Sequence, residues 1–358
     1  MNFNFPLLRP IRILLFPLSI VYAFIIRIRN FLFDKNILSS TSFNLPVICV
    51  GNLAVGGTGK SPMVEFLIKN LKNEFAVAVL SRGYKRKTRG YALANPMSTV
   101  IEIGDEPMQF HIKFPDVPIA VGEERIVAIP QLLHDIPSTQ AIILDDAFQH
   151  RSVKAGLNIL LTDYNNLFTR DWYLPTGDLR DEKVSYKRAD IIIVTKCPFE
   201  IDNEEKENIA REINVLSHQQ IFFSAIRYGI PYHLTRFDEK KVSEDTEVLL
   251  VTGIANPRSL KKFVLDNYKT YYQLSYNDHH IYTIDDLKEI VRRYNNVQAK
   301  EKIILTTEKD AVRLAKFHNE IEELPFYVIP VEPEFLFDEA KAFTGLITNF
   351  IANFENAI

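Results

Sequence analysis

An α/β fold with a mainly parallel sheet is what this sequence predicts, and three observations predict it. Apolar, β-branched runs recur between residues 46 and 226, starting at 47, 76, 119, 141, 157 and 191. Segments with helical spacing of apolar residues lie between most of them, which is the alternation of a parallel sheet. A second block, from about 228 to 330, repeats the alternation on a smaller scale after a charged, turn-rich stretch at 236–247. The chain therefore divides into residues 1–36, a core domain over 37–227, a smaller α/β domain over 228–330 and a C-terminal helical segment, 331–358, that packs back on the core.

Composition narrows the class. The 358 residues are 47% hydrophobic, enough for two domains with sizeable cores. A net charge of −3 gives no general affinity for nucleic acid. Cys49 and Cys197 lie in separate strand-like runs, so they read as buried, reduced thiols rather than a disulfide or metal pair.

The first element is an apolar stretch. Residues 13–26 carry no charge; Arg9 and Arg12 precede them, Arg27 and Arg29 follow, and the first acid is Asp34. The stretch is short for a bilayer span and lacks a small-residue cleavage site, and arginines follow it directly. A membrane-associated amphipathic helix or short anchor, with its arginines on anionic headgroups, fits it better than a core helix. Pro17 is expected to kink it.

Next comes 47–71, VICVGNLAVGGTGKSPMVEFLIKNL. A strand bounded by Pro46 runs into Gly56, Gly57, Thr58 and Gly59, then Lys60 and Ser61. A helix follows with Val64, Leu67, Ile68 and Leu71 on one face and Pro62 in its first turn, where a missing N–H costs little. Strand, glycine loop, Lys-Ser and helix form a P-loop, although Ala54 stands where the strict pattern has Gly. Backbone N–H groups of such a loop cradle phosphate oxygens, and the helix N-terminus adds partial positive charge. Lys60 reaches the β- and γ-phosphates of a bound nucleotide and Ser61 ligates Mg²⁺ in this reading.

Residues 141–146, AIILDD, form an apolar strand ending in two acids. Beside a P-loop strand, Asp145 and Asp146 are the expected Mg²⁺ carboxylates. Gln149 and His150 follow within a turn. The stretch 81–91, SRGYKRKTRGY, has five basic residues and no acid, and is either a solvated loop or a clamp for an anionic substrate or headgroup. Gly104-Asp105-Glu106-Pro107 reads as a turn. Residues 174–181, LPTGDLRD, form a structured loop that offers Arg180 to an anion. Thr195-Lys196 at a strand end faintly resembles a nucleotide-base motif.

In the smaller domain a strand is expected from 248 to 254, then a helix capped at Asn256-Pro257. Thr283 with Asp286, and Thr307 with Asp310, have capping-box spacing and each open a helix. Asp278-His279-His280 precedes the first of these. Adjacent histidines do not share a helix face, so a single histidine working with a carboxylate is expected rather than a metal pair.

Taken together, these stretches resemble the tetraacyldisaccharide 4′-kinase (lipid A 4′-kinase) family. The resemblance runs along nearly the whole chain: GNLAVGGTGKSP (51–62), SRGY (81–84), GDEP (104–107), DDAFQH (145–150), LPTGDLR (174–180), DHH (278–280) and TEKDAVRL (307–314). One departure is Asp181, where the family motif continues with Glu. The resemblance implies a P-loop NTPase-like core with ATP and Mg²⁺. It implies transfer of the γ-phosphoryl group to the 4′-hydroxyl of a tetraacyldisaccharide 1-phosphate at the cytoplasmic face of a Gram-negative inner membrane. It also implies Asp105 as the base that takes the hydroxyl proton, paired with His279, while Arg82, Tyr84, Gln149, His150 and Arg180 meet the lipid substrate. Two other classes are compatible with the P-loop and the apolar helix: a membrane-bound ATPase or GTPase serving assembly, and a non-catalytic nucleotide-sensing adaptor. Lipid-dependent ATP turnover separates the kinase from both.

Overall fold

The computed structural model describes residues 12–354, so Arg9 lies outside the described residues. The chain forms two compact units, one of residues 1–226 and 333–358 and the other of 227–332.

The first unit is built on a nine-stranded sheet. Its strands are β1 (Val47–Asn52), β2 (Val77–Ser81), β3 (Ala92–Leu93), β4 (Ile119–Val121), β5 (Ala141–Asp145), β6 (Leu157–Asp163), β7 (Ile191–Thr195), β8 (Gln220–Tyr228) and β14 (Val331–Phe335), in the order β14-β8-β7-β6-β1-β5-β2-β4-β3. From β8 across to β4 every pairing is parallel, and β3 closes one edge antiparallel to β4. Strand β1 is central and buried at every residue. Its side chains alternate between two cores: Val47 and Cys49 join one with Ile142, Leu144 and Ile192, while Ile48 and Val50 join the other with Ile143, Ile159 and Ile193. A strand buried on both faces is apolar at every position rather than alternating, and these runs carry that mark in the sequence. Both cysteines are buried and free.

Chain order reverses beside β1: β5 and β2 lie on one side of it, β6 and β7 on the other. A crevice at the carboxyl ends of strands opens at such a switch point. Helix α1 (Phe16–Asp34) precedes the sheet. Helices α2 (Lys60–Leu71), α3 (Asp105–Lys113), α4 (Arg125–Asp135) and α5 (Asn203–Ile213) follow β1, the β3 segment, β4 and β7. Helix α9 (Ala340–Ala352) buries Phe343, Ile347 and Ile351 in the core that also holds Met63 and Leu67 of α2, and Phe66 lies 6.0 Å from Phe343 between ring centres.

Pro17 does not kink a continuous helix. The chain turns at Leu14 and Leu15, and Pro17 sits in the first turn of α1, where no intrahelical N–H is missed. Helix α1 turns most of its apolar side chains outward, with Arg27 and Asp34 also exposed. Its buried residues are Ser19 and Asn30, while Leu18, Ile20, Val21, Phe24, Ile25 and Phe31 are each more than half exposed. It is long and apolar enough to cross a membrane by length and composition, and only 11% of its most apolar window is buried. That burial excludes a core helix, whose apolar side would be covered.

The second unit has a five-stranded sheet of β9 (Tyr232–His233), β10 (Glu247–Thr252), β11 (Thr270–Ser275), β12 (Lys302–Thr307) and β13 (Phe326–Ile329), ordered β11-β10-β12-β13-β9. Only the β13–β9 pair is antiparallel. Leu249 and Val251 face one core, Val248 and Leu250 the other. Helix α6 (Arg258–Asn267) starts one residue later than Asn256-Pro257 suggested, with Pro257 as its cap. Helix α7 (Ile284–Asn296) has the full Thr283–Asp286 capping box, and Thr307 caps α8 (Glu308–Leu314) by accepting from the Asp310 N–H.

Candidate active site

The glycine loop joins β1 to α2. Gly59 is the residue before the helix, at φ 85°, and Gly56 is at φ 108°, both in the left-handed region that favours glycine. Gly51 is required for a different reason. A Cβ there would stand 2.6 Å from the Phe148 Cβ, so its absence lets the chain after β5 lie against β1. Strand β5 is the immediate parallel neighbour of β1, with Val50 opposite Asp145. The two acids and the P-loop therefore share one end of the sheet.

The loop is tied down from below. Thr195 Oγ1 donates to the Thr58 carbonyl (2.9 Å), and Asn52 Nδ2 donates to Thr58 Oγ1 (2.8 Å). Thr195 thus braces the loop, while Lys196 pairs with Asp163 at 2.6 Å. Lys60 Nζ donates to Asn52 Oδ1 (3.3 Å) and lies 3.8 Å from Asp146. Burial lowers the Lys60 pKa, and Asp146 works against that shift.

The two acids at the end of β5 differ sharply. Asp145 is 1% exposed; its Oδ2 accepts from Ser81 (2.9 Å), and its Oδ1 is buried with no hydrogen-bond partner among the described residues. Burial, then the charges of Glu106 and Asp146, push its pKa up to about 7. Burial also acts to raise Asp146, but Lys60 and the Arg180 guanidinium outweigh it and bring the pKa to about 2. Arg180 grips Asp146 with two nitrogens and also donates to Asn52 Oδ1 (2.5 Å). Asp146 sits at φ 49°, a left-handed position for a non-glycine residue.

The segment that read as a turn is the start of α3. Gly104 at φ 93° admits the sharp entry, and Asp105 and Glu106 fill the first helical turn. Ser61 Oγ donates to Glu106 Oε1 (3.1 Å). Among the described residues no group of three or more His, Cys, Asp or Glu forms a metal cage. A magnesium ion bound with a nucleotide needs only one or two carboxylates, since phosphates and water supply the rest. The buried, unsatisfied Asp145 Oδ1, with its raised pKa, fits such a cation together with the Ser61 hydroxyl.

The basic loop splits. Arg86 is no free clamp: it pairs with Glu123 at 2.7 Å and pins the loop instead. Arg82 and Tyr84 are exposed. His150 is half-buried, and burial followed by the charges of Arg125 and Arg82 holds its pKa near 4, so it is neutral at pH 7. Gln149 Nε2 donates to the Asn52 carbonyl (2.7 Å). In the second unit His279 is at φ 61°, its Nδ1 lies 3.3 Å from an Arg313 nitrogen and its Nε2 lies 3.7 Å from Asp278. Arg313 in turn contacts Asp310, which is fully buried and receives the Tyr282 hydroxyl and the Gly253 N–H. His280 hydrogen-bonds Asp286 at 2.9 Å and stacks on Tyr276, which is a structural use. Asp105 belongs to the first unit and His279 to the second.

Comparison with known proteins decides the family to which this geometry belongs. The family described as Tetraacyldisaccharide-1-P 4′-kinase matches residues 11–352. The chain belongs to that family. It is a kinase, with an ATP-handling P-loop core. A tetraacyldisaccharide 4′-kinase of Bacteroides thetaiotaomicron is 46% identical over 94% of this chain and 92% of that protein. One of Porphyromonas gingivalis is 41% identical over 94% and 96%. A crystal structure of "apo" form LpxK from Aquifex aeolicus in complex with ATP superposes with a TM-score of 0.74 at 27% identity, covering 95% of this chain and 99% of that one.

Sequence reading missed Asn52, Glu106, Ser19 and Asn30. Asn52 had a signal, since it is a polar side chain closing an otherwise apolar central strand. Ser19 had one too, as a lone polar residue in an apolar stretch, whereas Asn30 follows Arg27 and Arg29 and does not stand out. Glu106 had none beyond its neighbour Asp105.

Proposed function

We propose that this chain transfers the γ-phosphoryl group of ATP to the 4′-hydroxyl of a tetraacyldisaccharide 1-phosphate at the cytoplasmic face of the inner membrane. The observation that carries the reading is the join of two features in one unit. A P-loop with its acids is built at the end of β1 and β5, and an inside-out helix is fastened to the same end. Arg12 grips the 174–181 loop at the Pro175 carbonyl (2.8 Å) and Asp178 (2.8 Å). Tyr22 donates to the Arg180 carbonyl (3.1 Å), and Asn30 donates to the buried Asp181 (2.8 Å). The residue whose family counterpart is Glu thus holds the apolar helix beside the phosphate site. A kinase acting on a soluble alcohol has no use for that arrangement; one whose substrate stays in the bilayer does.

The roles follow from position and charge. The amides of Gly56, Gly57, Thr58 and Gly59 cradle the phosphates, and Lys60 meets the β- and γ-oxygens. Ser61 and Asp145 would hold Mg²⁺, with Asp146 beside them. Bound there, the cation neutralises charge on the transferring group. Asp105 takes the proton of the 4′-hydroxyl as its oxygen bonds to phosphorus and the bond to ADP breaks, and His279 is its partner. Arg82, Tyr84, Gln149, His150 and Arg180 face the disaccharide and its 1-phosphate.

The test is direct. Purified protein with ATP, Mg²⁺ and the disaccharide 1-phosphate in detergent should yield lipid heavier by one phosphate. ATP hydrolysis with no change in lipid mass would assign the chain to the ATPase class instead.

A further inference from the structure

We propose that Asn52 is a positioning residue for phosphoryl transfer: its side-chain amide holds the glycine loop with one end and both phosphate-facing cations with the other. Asn52 is the last residue of β1 and is fully buried. Its Nδ2 donates to Thr58 Oγ1 at 2.8 Å. Its Oδ1 receives Lys60 Nζ at 3.3 Å and an Arg180 nitrogen at 2.5 Å. Its backbone carbonyl accepts from Gln149 Nε2 at 2.7 Å. One side chain thereby ties together the P-loop, its lysine and the arginine of the 174–181 loop, although the arginine is distant from the other two in sequence.

The chemistry favours an amide here. Two cations side by side repel, and a neutral oxygen that accepts from both keeps them together without cancelling their charge. A carboxylate would accept equally well but would compete with the phosphates for the same two charges. An alanine would remove the side-chain acceptor that Lys60 and Arg180 share, leaving Asp146 as their common side-chain partner, and free the Thr58 hydroxyl. Preorganised cations act on the charge that develops in transfer, so their misplacement is felt in turnover more than in ATP binding.

The inference rests on the kinase reading, and its test separates the two. If the unsubstituted chain shows no lipid-dependent turnover, the kinase reading fails; the Asn52 variants are compared with an active parent. With dispersed disaccharide 1-phosphate as acceptor, Asn52→Ala should lower kcat on the order of 10- to 100-fold with a much smaller change in KM for ATP. Asn52→Asp, close to isosteric, should instead raise KM for ATP severalfold. In the Asn52→Ala background, Arg180→Ala should cost less than it does in the parent, because the arginine is already misplaced. A merely structural Asn52 would lower thermal stability without splitting kcat from KM in these opposite ways. A folded Asn52→Ala enzyme with parental kcat overturns the proposal. So does an Asn52→Asp enzyme with parental KM for ATP, which decides the matter even if the alanine variant does not fold.

Discussion

At the end of β5 two adjacent carboxylates meet opposite surroundings. Asp146 lies between Lys60 and Arg180 and stays ionised, whereas Asp145 is sealed off with one oxygen unsatisfied and a pKa pushed up to about 7. A raised carboxylate pKa means the folded state holds the proton more tightly than the unfolded state, whose pKa is near 3.8. Without Mg²⁺, Asp145 therefore costs nothing below that lower value and costs progressively more as pH climbs toward about 7. Asp145→Asn should melt higher than the parent at pH 8 in EDTA, and the gap should shrink as pH falls toward 5. Added Mg²⁺-nucleotide should raise the parent's melting temperature and move the variant's little, and the variant's turnover should collapse. A pH-independent gap in melting temperature would mean that Asp145 is ionised at every pH and already compensated. Lys60→Ala gives the complementary result: phosphoryl transfer should be lost because the β/γ-phosphate charge loses its side-chain partner. Turnover close to parental in a folded Lys60→Ala protein would refute the P-loop's part in the chemistry.

At the scale of elements, what could be read in the sequence depended on how each element is buried. Strands β1, β5 and β7 are covered on both faces, so they are nearly unbroken apolar runs, whereas β6 is covered only from Ile159 to Thr162. Strand β8 has exposed and half-buried ends, and β11 has no fully buried residue; neither carries that signature. The P-loop and the two acids were legible because phosphate chemistry fixes both residue type and spacing. Glu106 meets Ser61, and Asn52 meets Arg180 and Gln149, across segments far apart in sequence, and spacing holds no trace of those contacts. Helix α1 was readable as apolar, but its sidedness was not, because only the fold shows which face is covered. Ser19, Arg29 and Asn30, and Arg12 just before the helix, turn inward: Arg12 and Ser19 onto the 173–178 loop, Asn30 onto Asp181, Arg29 onto the Gln149 carbonyl at 2.7 Å, while Arg27 and Asp34 stay exposed. Phe24 and Ile25, at 63% and 56% exposed, touch little of the protein. Replacing both by Glu should leave the melting temperature nearly unchanged, since exposed positions away from special features tolerate change within about 0.5 kcal/mol. The same double change should release the protein from anionic vesicles by roughly tenfold or more in a sedimentation assay, because apolar burial and headgroup attraction are both weakened. Asp181→Ala should behave in the opposite way. It removes the acceptor of Asn30, Ser185 and Arg188 from a buried position and should destabilise the fold by about 3 kcal/mol, read as a lowered denaturation midpoint.

Across the whole molecule, each unit holds its own set of candidate residues. The P-loop, its acids and the apolar helix all belong to the first unit, and so does Asp105 at the start of α3. In the second unit His279 is held at a left-handed backbone position and is approached by Arg313 at its Nδ1. A guanidinium can only donate, so Nδ1 is the acceptor and a neutral His279 carries its proton on Nε2. A sugar hydroxyl is a poor nucleophile, and a positioned base is worth about 10²- to 10⁴-fold. If Asp105 is that base, Asp105→Asn should bind ATP with parental affinity and lose turnover within that range. If His279 serves the same proton transfer, His279→Ala should also lose turnover, and the double variant should lose little more than the worse single one, because residues acting as a unit are not additive. Losses that simply multiply in the double variant would make the two residues independent, with Asp105 shaping the start of its helix and His279 its own loop.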